Sequence, residues 1–233
     1  TGLVHLRRLV GDEITGTEDK AGLVEKYFCL SMENTTALED IELGDDGLRV
    51  GDKHVSVHTL SELDALPNKV GTDGRYERLS TDKSDCKLSF ASPVGLLLSC
   101  NHLYNQYIFL DDSGENLQRF EKSARNMQSL SKYSRSNQIN KEWLDEYLNE
   151  AHTNGLQSVR CHCNIIAWAE NGNELRRVKN DVGSALALME CTPHHNTTDL
   201  PALYWAGIPG NEADFPAEET FYTFTGQALC FFT

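Results

Sequence analysis

Cys161-His162-Cys163, followed downstream by Cys191, His194 and His195, are the side chains whose types could do chemistry. Thiolates and imidazoles are ligands of tetrahedral zinc, and Cys161, Cys163, Cys191 and His194 would complete such a set if adjacent strand ends brought them together. The spacing argues the other way. Structural zinc sites usually place two or more residues between paired cysteines, whereas His162 alone separates Cys161 from Cys163. On a strand the two thiols point to one face and His162 to the other. Small core thiols, with an imidazole turned to a helix or to solvent, are the simpler account. A cysteine nucleophile with a histidine base is the second chemistry. Seven cysteines and eight histidines make some pair inevitable, and no Gly-x-Ser-x-Gly or Cys-Gly-x-Cys-Trp context singles one out. No catalytic or metal residue is therefore assigned. An autonomous zinc- or thiol-dependent enzyme built on Cys161, Cys163, Cys191 and His194 stands as the alternative function.

Two glycine-bearing loops, Gly44-Asp45-Asp46-Gly47 and Gly71-Thr72-Asp73-Gly74, carry aspartates that would repel phosphate, and no Gly-Lys-Ser/Thr occurs in the chain. Asp111-Asp112-Ser113-Gly114-Glu115 lacks the alternating acids of a calcium-binding EF-hand loop and reads as a turn followed by a helix cap. Aromatic residues crowd the C-terminal end, among them Tyr204, Trp205, Phe215, Phe221, Tyr222 and Phe224. Core filling explains them better than a partner surface does.

The chain as a whole bounds the function further. Its 233 residues allow one large domain or two small ones, and 39% hydrophobic content supports a real core. A formal net charge of −14 disfavours a large nucleic-acid footprint. The odd, scattered cysteines fit reduced thiols in a cytosolic setting. The longest apolar run, Val94 to Cys100, falls far short of the roughly 20 residues that span a bilayer. Thr1 at the start and Phe231-Phe232-Thr233 at the end suggest a piece of a larger protein.

The elements that must position these residues follow from periodicity. Ala21 to Met32 reads as a strand, and Leu48–Val50 with Lys53–Leu60 as a hairpin through Gly51-Asp52. In the second arm Val55, Val57 and Thr59 alternate with His54, Ser56 and His58, which predicts one buried and one wet face. Strands follow at Cys86–Phe90 and Leu103–Leu110, then helices at about 116–131 and 141–151, the latter ended by Asn154-Gly155. Val159–Trp168 turns apolar on both faces and predicts a central, doubly covered strand. Asn171 caps a helix with Leu175, Val178, Val182 and Leu186 on its core face. A short strand at Glu190–Pro193 and a helix at Leu200–Ala206 complete the set. The predicted class is α/β (α+β). A β-rich part at 1–85 joins an α/β part at 86–233 that holds a split βαβ-like mixed sheet covered by helices.

His102-Leu103-Tyr104-Asn105-Gln106, the run from Val159 to Phe232, and within it Ala206-Gly207-Ile208-Pro209-Gly210-Asn211 resemble TraG proteins of conjugative transposons. These are conjugation (type IV secretion) ATPases, and the likeness covers most of residues 85–233. It implies the region ahead of the P-loop domain, where a helix runs into a Leu-Pro-Gly-Asn-like turn. The chain would then be a non-catalytic N-terminal docking and assembly domain of a protein involved in conjugative DNA transfer. The implied location is cytoplasmic and peripheral to the inner membrane. The implied partners are the ATPase module of the same chain, with Pro209, Gly210 and Asn211 at the interdomain contact, and inner-membrane channel proteins, with a homo-oligomer possible and no direct nucleic acid. ATP and magnesium belong to the parent, and no cofactor is expected in this segment.

Overall fold

The computed structural model describes residues 7–30, 39–44, 47–62, 65–67, 70–71, 74–77, 79–195 and 199–231. In chain order the elements are α1 (Gly11–Thr15), α2 (Leu23–Cys29), β1 (Ile41–Gly44), β2 (Gly47–Val50), β3 (Lys53–Leu60), β4 (Gly74–Arg75), β5 (Lys87–Leu88), α3 (Ser92–Leu97) and β6 (His102–Phe109). Then come α4 (Ser113–Leu130), α5 (Arg135–Asn154), β7 (Ser158–Ala169), α6 (Gly172–Leu188), β8 (His194–His195), α7 (Leu200–Gly207), β9 (Phe221–Phe224) and α8 (Thr225–Ala228). Short 3-10 turns at Glu212–Asp214, Ala217–Glu219 and Leu229–Phe231 complete the C-terminal part.

One sheet organises the fold, in the order β1-β2-β3-β7-β6, with β8 beside β3 and β9 beside β7. β6 covers Arg160–Ala167 of β7, while β9 pairs with Ser158–Cys161 and β3 with Cys163–Ala169. The overlap places β9 and β3 end to end on one edge of β7 and β6 on the other. β7 is thus the central strand, as its two apolar faces predicted. The α/β class holds, with helices covering the sheet. Every ladder in it is antiparallel, so the pairing is not the mixed, split βαβ kind. A helical hairpin, not a crossover, joins β6 to β7, and adjacent antiparallel strands need nothing longer. Strands from residues 1–85 and 86–233 share this sheet, because β3 lies hydrogen-bonded along β7.

The two faces of β7 feed two cores. Val159, Cys161, Cys163, Ile165, Ala167 and Ala169 pack with Val178, Val182 and Leu186 of α6, Val94 of α3 and Phe231. Ile166 and Trp168 pack with Val55 and Val57 of β3, Leu203 and Tyr204 of α7, and Leu30 after α2. β3 therefore has no wet face: Ser56 and His58, expected in water, are buried at 5% and 1% exposure. α6 begins as predicted, with Asn171 Oδ1 accepting the Glu174 N–H at 3.0 Å. It ends at Glu190 in the left-handed region (φ 57°), where the Cys191 N–H reaches back to the Leu186 carbonyl. That closing turn takes the place of the strand expected at Glu190–Pro193, and β8 falls just beyond it.

Three local expectations fail for physical reasons. Ala21–Met32 was expected as a strand, but its described part forms α2. Val24, Tyr27 and Phe28 recur at helical spacing against the core, and Glu25 Oε2 accepts the Gly22 N–H at 2.7 Å to start the turn. The Cys86–Phe90 strand shrinks to β5, which pairs only with β4 in a separate two-stranded ribbon. The polar stretch at 11–15, for which no element is predicted above, closes into the single-turn α1. By contrast α5 stops where Gly155 supplies φ +60°, as Asn154-Gly155 predicted.

Candidate functional site

The thiol and histidine cluster is sealed inside the protein. Cys161 and Cys163 are completely buried and Cys191 nearly so, all three in the core under α6. Burial pushes the thiols of Cys161 and Cys191 up to about 12, and that of Cys163 also up, so all three stay neutral. A thiolate ligand or nucleophile there would carry the full desolvation penalty. The backbone of His194 pairs with Thr59 in the β8–β3 ladder; its side chain lies outside the description. Among the described residues no group of three or more His, Cys, Asp or Glu is arranged to hold a metal.

His162 points to the opposite face, as strand alternation requires, and is buried against the turn at Glu219 and the ring of Phe215. Its Nδ1–H donates to the Glu219 carbonyl at 2.5 Å, and its Nε2 accepts from Asn164 Nδ2 at 2.9 Å. Asn164 Oδ1 in turn accepts from Asn105 Nδ2 at 2.9 Å, and Asn105 Oδ1 accepts from the Tyr27 hydroxyl at 3.3 Å. Side chains on α2, β6 and β7 and one backbone carbonyl thus form a directed buried chain. Burial is the larger influence on His162 and drops its pKa to about 4, so the ring is neutral at physiological pH. This chain holds elements together, and none of its four side chains lines either of the two cavities described next.

Two open cavities lie elsewhere, beside the α4–α5 hairpin. A cleft of about 510 Å³ is lined by Phe120, Trp143, Leu144, Tyr147, Phe221 and Tyr222. Its aromatic wall is tightly set. Tyr147 stacks on Phe224 with centroids 4.4 Å apart, and Phe120 meets Tyr147 and Tyr222 edge-on at 5.3 and 4.9 Å. The Tyr147 hydroxyl donates to Ser158 Oγ at 2.9 Å, and the Ser158 N–H donates to Ser113 Oγ, tying α5, β7 and α4 together. Trp143, by contrast, is 56% exposed at the rim. A second cavity of about 630 Å³ shares Glu218 and Tyr222 with the first. Asp111, Asp112, Glu115, Asn116, Arg119 and Arg160 line it. Arg160 Nε donates to Asp111 at 2.9 Å with its guanidinium over Phe109, while Arg119 donates to the Tyr222 hydroxyl and lies over that ring. Asp112 Oδ1 accepts the Glu115 N–H at 3.0 Å, which is the helix cap read from the sequence.

A third surface is the turn after α7. Ile208, Pro209, Gly210 and Asn211 close a β-turn, with the Asn211 N–H donating to the Ile208 carbonyl at 3.0 Å. Gly210 at φ +108° follows Pro209, the pattern of a type II turn. Asn211 Nδ2 donates to the Trp205 carbonyl, and Trp205 Nε1 donates to Asp214. These bonds brace the turn against the end of α7, and Trp205, 46% exposed, stands beside it.

The remaining sequence candidates are placed simply. Gly44 and Gly47 flank the β1–β2 turn, and Asp45, Asp46, Thr72 and Asp73 lie outside the described residues. Most C-terminal aromatics are core, with Tyr204, Phe215, Phe221, Phe224 and Phe231 buried. Sequence reasoning missed the cleft because it draws on four stretches far apart in the chain, around 61, 120, 143 and 220. Trp143 and Tyr147, four apart on one helix face, were its one visible trace.

A scan of the chain against protein-family models finds no match, and neither does a search of the curated proteins. No described helix is long and apolar enough to cross a membrane.

Proposed function

We propose that the chain is a non-catalytic docking domain of a TraG-like conjugation ATPase, the parent's ATP and magnesium chemistry being carried outside these residues. The observation that carries the reading is the turn at Ile208–Asn211. It sits at the end of α7, a helix buried at Leu200, Leu203, Tyr204 and Ala206, so the sheet fixes its position. The Asn211 side-chain amide and the Trp205 indole N–H both donate within the domain, so a partner could close over them without stranding those two donors. It is also the compact motif of the TraG resemblance, and it fits the role of contact with the parent's ATPase module. The domain would act in the cytoplasm, peripheral to the inner membrane, between that module and channel proteins. The thiol- or zinc-enzyme reading is weaker, because its cysteines are buried and neutral.

Two measurements test the reading. ATP turnover by this chain alone should stay at background, and robust turnover sinks the proposal. Titration with the separately produced ATPase module should show saturable binding that Trp205→Ala and Gly210→Val both weaken. No binding, or binding indifferent to both changes, contradicts it.

A further inference from the structure

The cleft beside α4–α5 and the turn at Ile208–Asn211 share no lining residue, so the molecule offers a second surface with its own chemistry. Three features of that surface point to the same kind of occupant. The first is the aromatic cleft, which has the size and apolar lining of a pocket for one or two large side chains. Phe120 and Tyr147 are held by ring contacts, so the cleft is already formed and an anchor entering it meets little ordering cost. The second is charge. The adjoining cavity, which shares Glu218 and Tyr222 with the cleft, is walled by Asp111, Asp112, Glu115 and Glu218 against Arg119 and Arg160. Arg160 is already matched by Asp111, and the exposed Glu115 and Glu218 give this end a negative potential on a chain of net charge −14. The third is a buried donor. Asn116 is only 7% exposed, lines the acidic cavity, and its Nδ2 has no hydrogen-bond partner. A buried amide N–H left unpaired costs free energy until an acceptor arrives.

We propose that this groove takes a basic, apolar-anchored peptide segment of a partner protein: a Trp-, Leu- or Phe-type side chain in the cleft under Trp143, an adjacent Arg or Lys against Glu115 and Glu218, and a peptide carbonyl that Asn116 Nδ2, sealed in the free protein, meets when its side chain turns into the cavity. The proposal rests on the docking reading and adds a second partner to it, separate from the ATPase module. An acidic peptide or a nucleic-acid strand would meet repulsion at Glu115 and Glu218. A purely apolar occupant would leave Asn116 and the carboxylates covered and unmatched.

The test uses fluorescein-labelled synthetic octapeptides that alternate Arg with Leu and Trp, the same peptides with Glu for Arg, and the same peptides with Ser for Leu and Trp. Anisotropy should show saturable binding of the first set, with at least tenfold weaker binding of the other two. Glu115→Lys combined with Glu218→Lys should weaken binding of the basic set at least tenfold, and Trp143→Ala should weaken it severalfold. Asn116→Leu should weaken it without lowering thermal stability, since the folded chain loses no Asn116 Nδ2 bond; a merely structural role would lower the Tm instead. Equal binding of the acid-swapped set, competition by a single-stranded oligonucleotide, or no saturable binding by the basic set overturns the proposal. Binding of the ATPase module through Trp205 and Gly210 should persist in all these groove variants, so failure here and failure of the docking reading are separately visible.

Discussion

The Cys161–Cys163 stretch and the groove under Trp143 are made of opposite materials. The first gathers thiols and an imidazole, the residue types that do chemistry, and seals them between α6 on one face and Phe215 on the other. The second carries no catalytic motif, yet it is open, preformed and charged at one end. The comparison teaches that environment decides function before residue type does. A thiol pushed up to about 12 is a small apolar packing group, whereas an exposed Trp at the rim of an open cleft fits the surface role proposed above.

The largest test of that contrast lies in the buried chain. Asn164→Leu would strip His162 Nε2 of its donor and Asn105 Nδ2 of its acceptor at once. It should cost about 4 kcal/mol in denaturant unfolding, and a loss below about 1 kcal/mol would mean the chain is not the structural tie described here. Next is pH. His162 titrates near 4 when folded and near 6.5 otherwise, so as pH falls the unfolded chain takes up the proton first. Stability should be full above pH 6.5 and fall by on the order of 3 kcal/mol by pH 4, with His162→Phe flattening that slope. Third, maleimide should label the half-buried Cys86 and Cys100 of the native protein at least about a hundredfold faster than Cys161, Cys163 and Cys191, which need the core to open. Rapid labelling of Cys161 would return the thiol reading to the front. The smallest expected effect is on the other side of the comparison: Trp143→Ala, at an exposed rim, should change stability by less than about 1 kcal/mol. A larger loss would make Trp143 a core residue and close the groove.

The contrast also marks what could be read from the sequence. β7 was legible because Ile165-Ile166-Ala167-Trp168 is apolar at every position, which only a doubly covered strand explains. The start of α6 at Asn171 and the end of α5 at Gly155 were legible because each needs a particular residue type at one position. α2 was not. Tyr27, Phe28 and Cys29 carry strand-like propensity, and the core contacts of Val24, Tyr27 and Phe28 override it. The buried role of His58 was hidden because alternation along β3 reports side-chain polarity, while α6 and β7 decide which face stays dry. The Tyr27–Asn105–Asn164–His162 chain depends on register, Asn105 standing opposite Asn164, and no spacing within one strand reveals that.

The central claim is that this domain works through its surface and that its thiols only pack. Calorimetric titration of the proposed parent's ATPase module into three forms of the chain tests it most directly: the unaltered form, the Cys161→Ala and Cys163→Ala double variant, and the Trp205→Ala and Gly210→Val double variant. The account predicts that the folded thiol variant binds like the unaltered chain and that the turn variant loses at least tenfold in affinity, about 1.4 kcal/mol. Binding lost in the folded thiol variant and kept in the turn variant would contradict it.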